Sequence, residues 1–322
     1  MIRDSKDRST PLHMNKNVIE IASDDITLST NRGFLCIENN ESGTSRKVPL
    51  TDILSLVISS NRVLLSKNAI NSITEQDGVI ICCGKNYMPA SITFPYAAHW
   101  QNGERVRKQI AASAPLQKTL WKSLIQTKIN NQTLVLKWLH PDSNKIERLK
   151  QLGKTVRSGD TGNHESIAAQ IYFKAVFGRD FVRERQSEDI NLLLNYIYIV
   201  LRACVARAIA GAGLLPALGI MHTNKLNPFA LVDDVIEPYR PLADAIVFQL
   251  VQDLGIQDSY SLTPDIKRHL VGITAVNLES AKGQRPLATS LCDTANRLAK
   301  SYVEKQNLLE IDSYISRDEL LR

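Results

Sequence analysis

The chain has 322 residues, 43% of them hydrophobic, and a formal net charge of +6. That apolar fraction excludes an intrinsically disordered chain, and at roughly 100 to 200 residues per domain the length suggests two domains. No apolar run follows the basic start Met1 to Lys16, so no secretory signal is expected, and the chain reads as cytoplasmic with no membrane segment.

Residues 1–16 read as a polar N-terminal extension. From Asn17 to about Pro95 short β-type runs alternate with turns: Val18 to Ile21, Gly33 to Ile37, Ile53 to Ile58, Val79 to Cys82 and Ala90 to Phe94. Asn39 to Gly43 reads as a hairpin loop, and Ser66 to Gln76 as one short helix capped by Ser66. After Gln101 the period becomes helical, with nothing later promising more than an isolated strand. Arg105 to Leu139 interleaves apolar positions with lysines, the pattern of a helix with one buried and one basic face. Asn163 is the expected N-cap of a helix running to about Phe177, with Glu165 in its first turn. Another helix starts near Ser187 and ends at Gly211-Ala212-Gly213. The longest apolar stretch, Ile190 to Gly213, contains Asn191, Asn195, Arg202 and Arg207, which suits a buried helix rather than a membrane span. Asn227-Pro228 is a helix-start signal for a segment carrying Asp233, Asp234 and Glu237. The expected organisation is a β-rich domain over 17–97, an α-helical domain over 98–310 and a C-terminal tail over 311–322, with a hinge near 95–103.

Charge is unevenly spread. Residues 101–160 hold twelve Lys or Arg against four acids, a local net of +8, so the remainder of the chain is slightly acidic. The five cysteines (Cys36, Cys82, Cys83, Cys204, Cys292) are odd in number and lack C-x-x-C spacing, so they read as small core residues of a reducing compartment.

Three residues stand in settings that suit a divalent cation: Glu165, His222 and Glu237, two hard carboxylates and one imidazole. Each also has an ordinary explanation. Glu165 complements a helix dipole, His222 packs beside an apolar link, and the Asp233, Asp234 and Glu237 cluster forms a solvated acidic helical face. Other chemistries fail on spacing. Gly153-Lys154-Thr155 has Arg148 where a phosphate loop needs glycine, and His164-Glu165 has Ala168 where a zinc-protease motif needs its second histidine. No G-x-S-x-G occurs.

Taken together, several segments resemble the CRISPR-associated integrases that capture new spacers, the Cas1 family, and its type II branch in particular. They are Lys128-Ile129-Asn130-Asn131-Gln132, the Ser158-Gly159-Asp160 turn with Asn163 and Glu165, Ala168-Ala169, Tyr172-Phe173, Phe177-Gly178, Asp189, Asn195-Tyr196, Tyr198, His222, and the run Asp234 to Pro241. The resemblance spans roughly residues 17 to 300. It implies an α+β fold, with an N-terminal β-sandwich making a homodimer contact and a larger all-α catalytic domain. It further implies a complex with the small CRISPR-associated partner Cas2 on double-stranded DNA, both prespacer and CRISPR repeat. Glu165, His222 and Glu237 correspond to the metal ligands for Mg²⁺ or Mn²⁺, with Asp234 an auxiliary acid that coordinates or orients. The expected reaction is metal-assisted transesterification by a DNA 3′-hydroxyl. A metal-dependent endonuclease on branched or damaged DNA and a catalytically silent DNA-binding scaffold stay open beside it. Arg107, Lys128, Lys154 and Arg157 are the expected DNA contacts, from charge and proximity to these segments.

Overall fold

A computed structural model of the chain describes residues 17–76, 78–84, 89–93, 95, 101–184, 187–222, 224, 226–280 and 283–314. The expected N-terminal extension 1–16, Phe94, residues 96–100 of the expected hinge and residues 315–322 of the expected tail lie outside them.

The N-terminal region builds two four-stranded sheets. One has the order β1 (Asn17–Ile21), β5 (Ile53–Ile58), β7 (Val79–Cys83), β8 (Pro89–Thr93), with β1 and β7 both parallel to β5. The other has the order β4 (Ser45–Pro49), β3 (Phe34–Asn39), β2 (Ile26–Asn31), β6 (Val63–Leu65). The Asn39 to Gly43 loop joins β3 to β4, closed by the Gly43 amide donating to the Asn39 carbonyl at 2.9 Å. Helix α1 (Lys67–Glu75) is capped by Ser66 Oγ, which accepts from the Ala69 amide. β2, β4 and β6 are not among the expected strands: β2 does alternate, with Ile26 and Leu28 buried, whereas β4 is Ser-Arg-Lys-Val-Pro, polar and largely exposed, and β6 is only three residues long.

Every residue of β5 is buried, as expected for a parallel strand covered on both faces. Ile53, Leu56 and Ile58 share a core with Leu28 and Leu35 of the second sheet and with Ile73 of α1. Leu54 and Val57 join instead the large helical core. β7 alternates cleanly, with Val79 and Ile81 facing the helices and Ile80 facing the second sheet. The sheet of β1, β5 and β7 therefore contributes side chains both to the core of the β-rich region and to that of the helical region.

The single helix expected over Arg105 to Leu139 is two, α2 (Asn102–Ile110) and α3 (Ala114–Leu139). Ser113, extended at ψ 148°, caps α3 through Oγ, and Pro115 in its first turn has no amide to continue α2. Next come α4 (Ile146–Thr155), α5 (His164–Phe177), α6 (Ile190–Gly211), α7 (Ala230–Val235), α8 (Arg240–Leu254), α9 (Pro264–Val271) and α10 (Leu287–Glu304). Asp189 caps α6, its carboxylate accepting from the Asn191 amide. α6 is long and apolar enough to cross a membrane, yet most of it is buried against the sheet, α8, α9 and α10. The expectation of no more than isolated strands after Gln101 is corrected by a small sheet of order β10 (Gly283–Pro286), β9 (Asn277–Ser280), β11 (Ser313–Tyr314). β11 lies in the segment read as a tail. It carries Tyr314, a buried side chain whose hydroxyl donates to the Pro238 carbonyl at 2.6 Å.

Candidate metal and DNA site

The site forms where α3, the start of α5, the loop before α7 and the turn after α7 meet. Glu165 arrives through an unusual helix start. Gly159, Asp160 and Asn163 all have positive φ (74°, 49° and 52°), so the chain doubles back sharply before α5. Gly159 is suited to this conformation, and a Cβ there would also press on Lys118 at 3.1 Å. Asn163 is not the side-chain cap that its sequence position suggests. Its left-handed backbone turns the side chain away, and the Asp160 carboxylate caps instead, accepting from the His164 and Glu165 amides at 2.9 Å each. Such a cap stabilises by about 1 kcal/mol and fixes the backbone of Glu165.

The acidic cluster does not share one solvated face. α7 begins only at Ala230, because Asn227 caps the preceding turn, accepting from the Phe229 amide at 3.0 Å. It ends at Val235; Pro238 offers no amide for the next helical bond, and Glu237 opens a short 3₁₀ turn. The three acids consequently go to three different partners. Asp233 takes Arg202 through Nε and Nη2, both at 2.8 Å. Asp234, fully buried, accepts from the amides of Ile220, Met221 and His222 and holds His222 Nδ1 at 2.7 Å. Glu237 takes Arg240 Nε at 2.8 Å and Lys128 Nζ at 2.5 Å.

Lys128 is the junction. Its ammonium lies 2.7 Å from Glu165 Oε1 and 2.5 Å from Glu237 Oε2, joining two carboxylates that are 72 positions apart in sequence. Burial alone would lower the Lys128 pKa, but Glu237 and Glu165 outweigh it and raise the value. Burial likewise pushes Glu237 up, yet Arg240 and Lys128 bring its carboxyl down to about 2. His222 is raised by its hydrogen bond to Asp234, with burial opposing. Glu237 acts on His222 electrostatically as well, so the imidazole belongs to the same cluster. Trp121 packs edge-on against that ring at 5.8 Å.

With Nδ1 engaged by Asp234, the arrangement leaves Nε2 as the nitrogen for a ligand, the usual carboxylate-histidine support of a metal-binding imidazole. Asp234 orients; its oxygens are taken by amides and by the ring. The donor set suits a hard divalent cation: two carboxylates already bracket one positive charge. Glu237 Oε2 is buried without a well-directed hydrogen bond, its contact with Lys128 being an ion pair only. Among the described residues no three His, Cys, Asp or Glu side chains are assembled closely enough to hold a metal as they stand.

Of the residues expected at DNA, Arg107, Lys154 and Arg157 are exposed, whereas Lys128 is 7% exposed and committed to carboxylates. Arg157 directly precedes the turn that delivers Glu165. Beside His222 lies an open depression of about 840 Å³, lined among others by Gln109, Gln117, Leu226, Pro228 and Tyr302. Sequence reasoning missed three contributors: Asp160, Arg240 and the carboxylate-pairing role of Lys128. Only Arg240 carried a signal, its i,i+3 spacing from Glu237.

The family model for CRISPR associated protein Cas1 matches residues 19–270. A CRISPR-associated endonuclease Cas1 of Neisseria meningitidis serogroup C (strain 8013) is 40% identical over 244 residues, covering 76% of this chain and 78% of that protein. The fold is similar to that of a casposase bound to integration product, with TM-score 0.76, 19% identity, and coverage of 94% of this chain and 97% of that one. It is similar also to a chain of a Cas6-RT-Cas1–Cas2 complex, at TM-score 0.75 and 18% identity, covering 95% of this chain and 37% of that one.

Proposed function

The chain belongs to the family of CRISPR associated protein Cas1, and from that membership we propose that it is a metal-dependent DNA integrase inserting spacer DNA into a CRISPR array. The carrying observation is the convergence of Glu165 and Glu237 on a single cation beside the Asp234-oriented imidazole of His222. Glu165, His222 and Glu237 would hold Mg²⁺ or Mn²⁺, which when bound lowers the pKa of an attacking hydroxyl and offsets charge developing on a phosphate.

In the reaction a DNA 3′-hydroxyl attacks a backbone phosphodiester at a repeat boundary. One phosphodiester forms as another breaks, the displaced 3′-oxygen takes up the proton, and no nucleotide triphosphate is consumed. The protein's own part is positioning. Asp160 fixes the first turn of α5 and so Glu165, Arg240 pins Glu237, and Asp234 fixes the tautomer and direction of His222. Arg107, Lys154 and Arg157, all exposed, are the proposed phosphate contacts, holding DNA with little regard to sequence. In this reading residues 17–97 are the dimerisation domain, with their two sheets in the β-sandwich role, and 98–310 the catalytic domain. The assembly is a homodimer working with Cas2, a reading supported by the likeness to the chain of a Cas6-RT-Cas1–Cas2 complex.

The test is one labelled 3′-end incubated with the protein, its Cas2 and a repeat-bearing plasmid, with Mg²⁺, Mn²⁺ or chelator. Joined product that disappears with chelator is expected. Cleavage without joining would replace the proposal with a plain endonuclease, and DNA binding with no metal-dependent processing would replace it with a scaffold.

A further inference from the structure

We propose that Lys128 is the resident counter-cation of the metal-free site: its ammonium bridges Glu165 and Glu237 where the divalent ion binds, and metal entry requires the side chain to withdraw. The inference rests on the metal site proposed above. Lys128 sits in the middle of α3 with its side chain 9% exposed, and lysine is almost never buried unless paired. Its partners are the two carboxylates expected to ligate metal. Without a cation between them, Glu165 and Glu237 would repel, and Glu237, 7% exposed in its side chain, would keep Arg240 on Oε1 but leave its buried Oε2 with no positive partner. Two cations cannot share that space.

The exit is built in. Glu165 is the more exposed partner at 28%, which leaves an open side, and a four-carbon stem lets the ammonium leave without moving α3. Metal binding is then an exchange of cations. Its apparent affinity is weaker than the ligands alone would give, and the empty site keeps its shape.

Mn²⁺ titrations of the full-length chain, read by the EPR signal of free Mn²⁺, test this together with the unfolding temperature of the metal-free protein. Lys128→Met is expected to bind Mn²⁺ on the order of tenfold more tightly, the scale on which neighbouring groups couple. It should also unfold at lower temperature without metal and recover more on adding it. Lys128→Arg keeps the charge, so the fold is retained, and grips both carboxylates with a planar fork; it should bind Mn²⁺ more weakly than wild type. Unchanged or reversed affinities in either folded variant overturn the proposal. Glu165→Gln separates the two readings. If it abolishes Mn²⁺ uptake while the Lys128 variants bind like wild type, only the exchange falls. If it takes up Mn²⁺ like wild type, the metal site and the exchange fall together.

Discussion

His222 Nδ1 lies 2.7 Å from Oδ1 of Asp234, a carboxylate with no exposed surface whose oxygens also collect the amides of Ile220, Met221 and His222. One acid thus fixes both the loop and the ring it carries. Asp234→Asn keeps the size but turns an amide NH₂ toward donors. Joining activity is expected to fall by about 10- to 100-fold, as for other supports of metal-binding histidines. Stability should fall on the order of 2 kcal/mol. Strand-transfer rates and thermal unfolding check both; a variant with wild-type activity would remove Asp234 from its positioning role.

Gly219 sits against the same pair. A Cβ there would come within 2.5 Å of the His222 carbonyl and 2.9 Å of Asp234 Oδ2, whereas one at Gly103 on α2 meets nothing. Gly219→Ala is expected to destabilise by about 1–3 kcal/mol and to depress activity further, and Gly103→Ala to stay within about 1 kcal/mol of wild type. Urea unfolding of the two variants in parallel is the measurement.

Asp244 supplies a pH signature away from the site. Buried on α8, it accepts from the Tyr198 hydroxyl, and burial pushes its pKa up to about 6 against opposition from Tyr198, Arg183 and Arg240. The unfolded value is near 3.8, so the folded state binds this proton more tightly. Its contribution is fully present below pH 4 and is lost as pH rises to about 6, a swing on the order of 3 kcal/mol. Asp244→Asn should therefore gain on wild type between pH 4 and pH 7. A difference in stability that stays flat across that range would contradict the assignment.

The exposed Arg107, Lys154 and Arg157 yield a salt test. Replacing each with Gln should lower DNA affinity at every sequence and reduce the slope of log K against log salt by about 0.9 for each phosphate no longer neutralised. Fluorescence anisotropy at several salt concentrations would show it. A substitution that leaves the slope intact marks a residue that does not touch phosphate.

Much of the architecture was legible in the sequence because burial leaves a period. The runs of β1, β5 and β7, the Ser66 cap and the extent of α5 follow from apolar pattern and capping chemistry. β4 was not legible, since an exposed strand of Ser, Arg and Lys carries no apolar alternation. The site was legible as residue types but not as partners. Asp233, Asp234 and Glu237 look like one acidic stripe until Pro238 ends the helix, and Arg202, His222, Lys128 and Arg240 each claim an acid from elsewhere. Lys128 misled most: a lysine amid other lysines reads as a phosphate contact, and only the tertiary fold shows its ammonium between two carboxylates. Asp160 hid behind Asn163, because a left-handed turn moved the capping role three residues upstream.

The central claim, that Glu165 joins His222 and Glu237 in a site for DNA joining, is tested most directly by Glu165→Ala in the strand-transfer reaction. Glu165 is partly exposed, and Lys128 keeps Glu237 as partner when it is removed, so the variant should fold. It is expected to bind DNA and form no joined product in either Mg²⁺ or Mn²⁺. A folded Glu165→Ala protein that joins a 3′-end to repeat DNA at the wild-type rate would contradict the assignment.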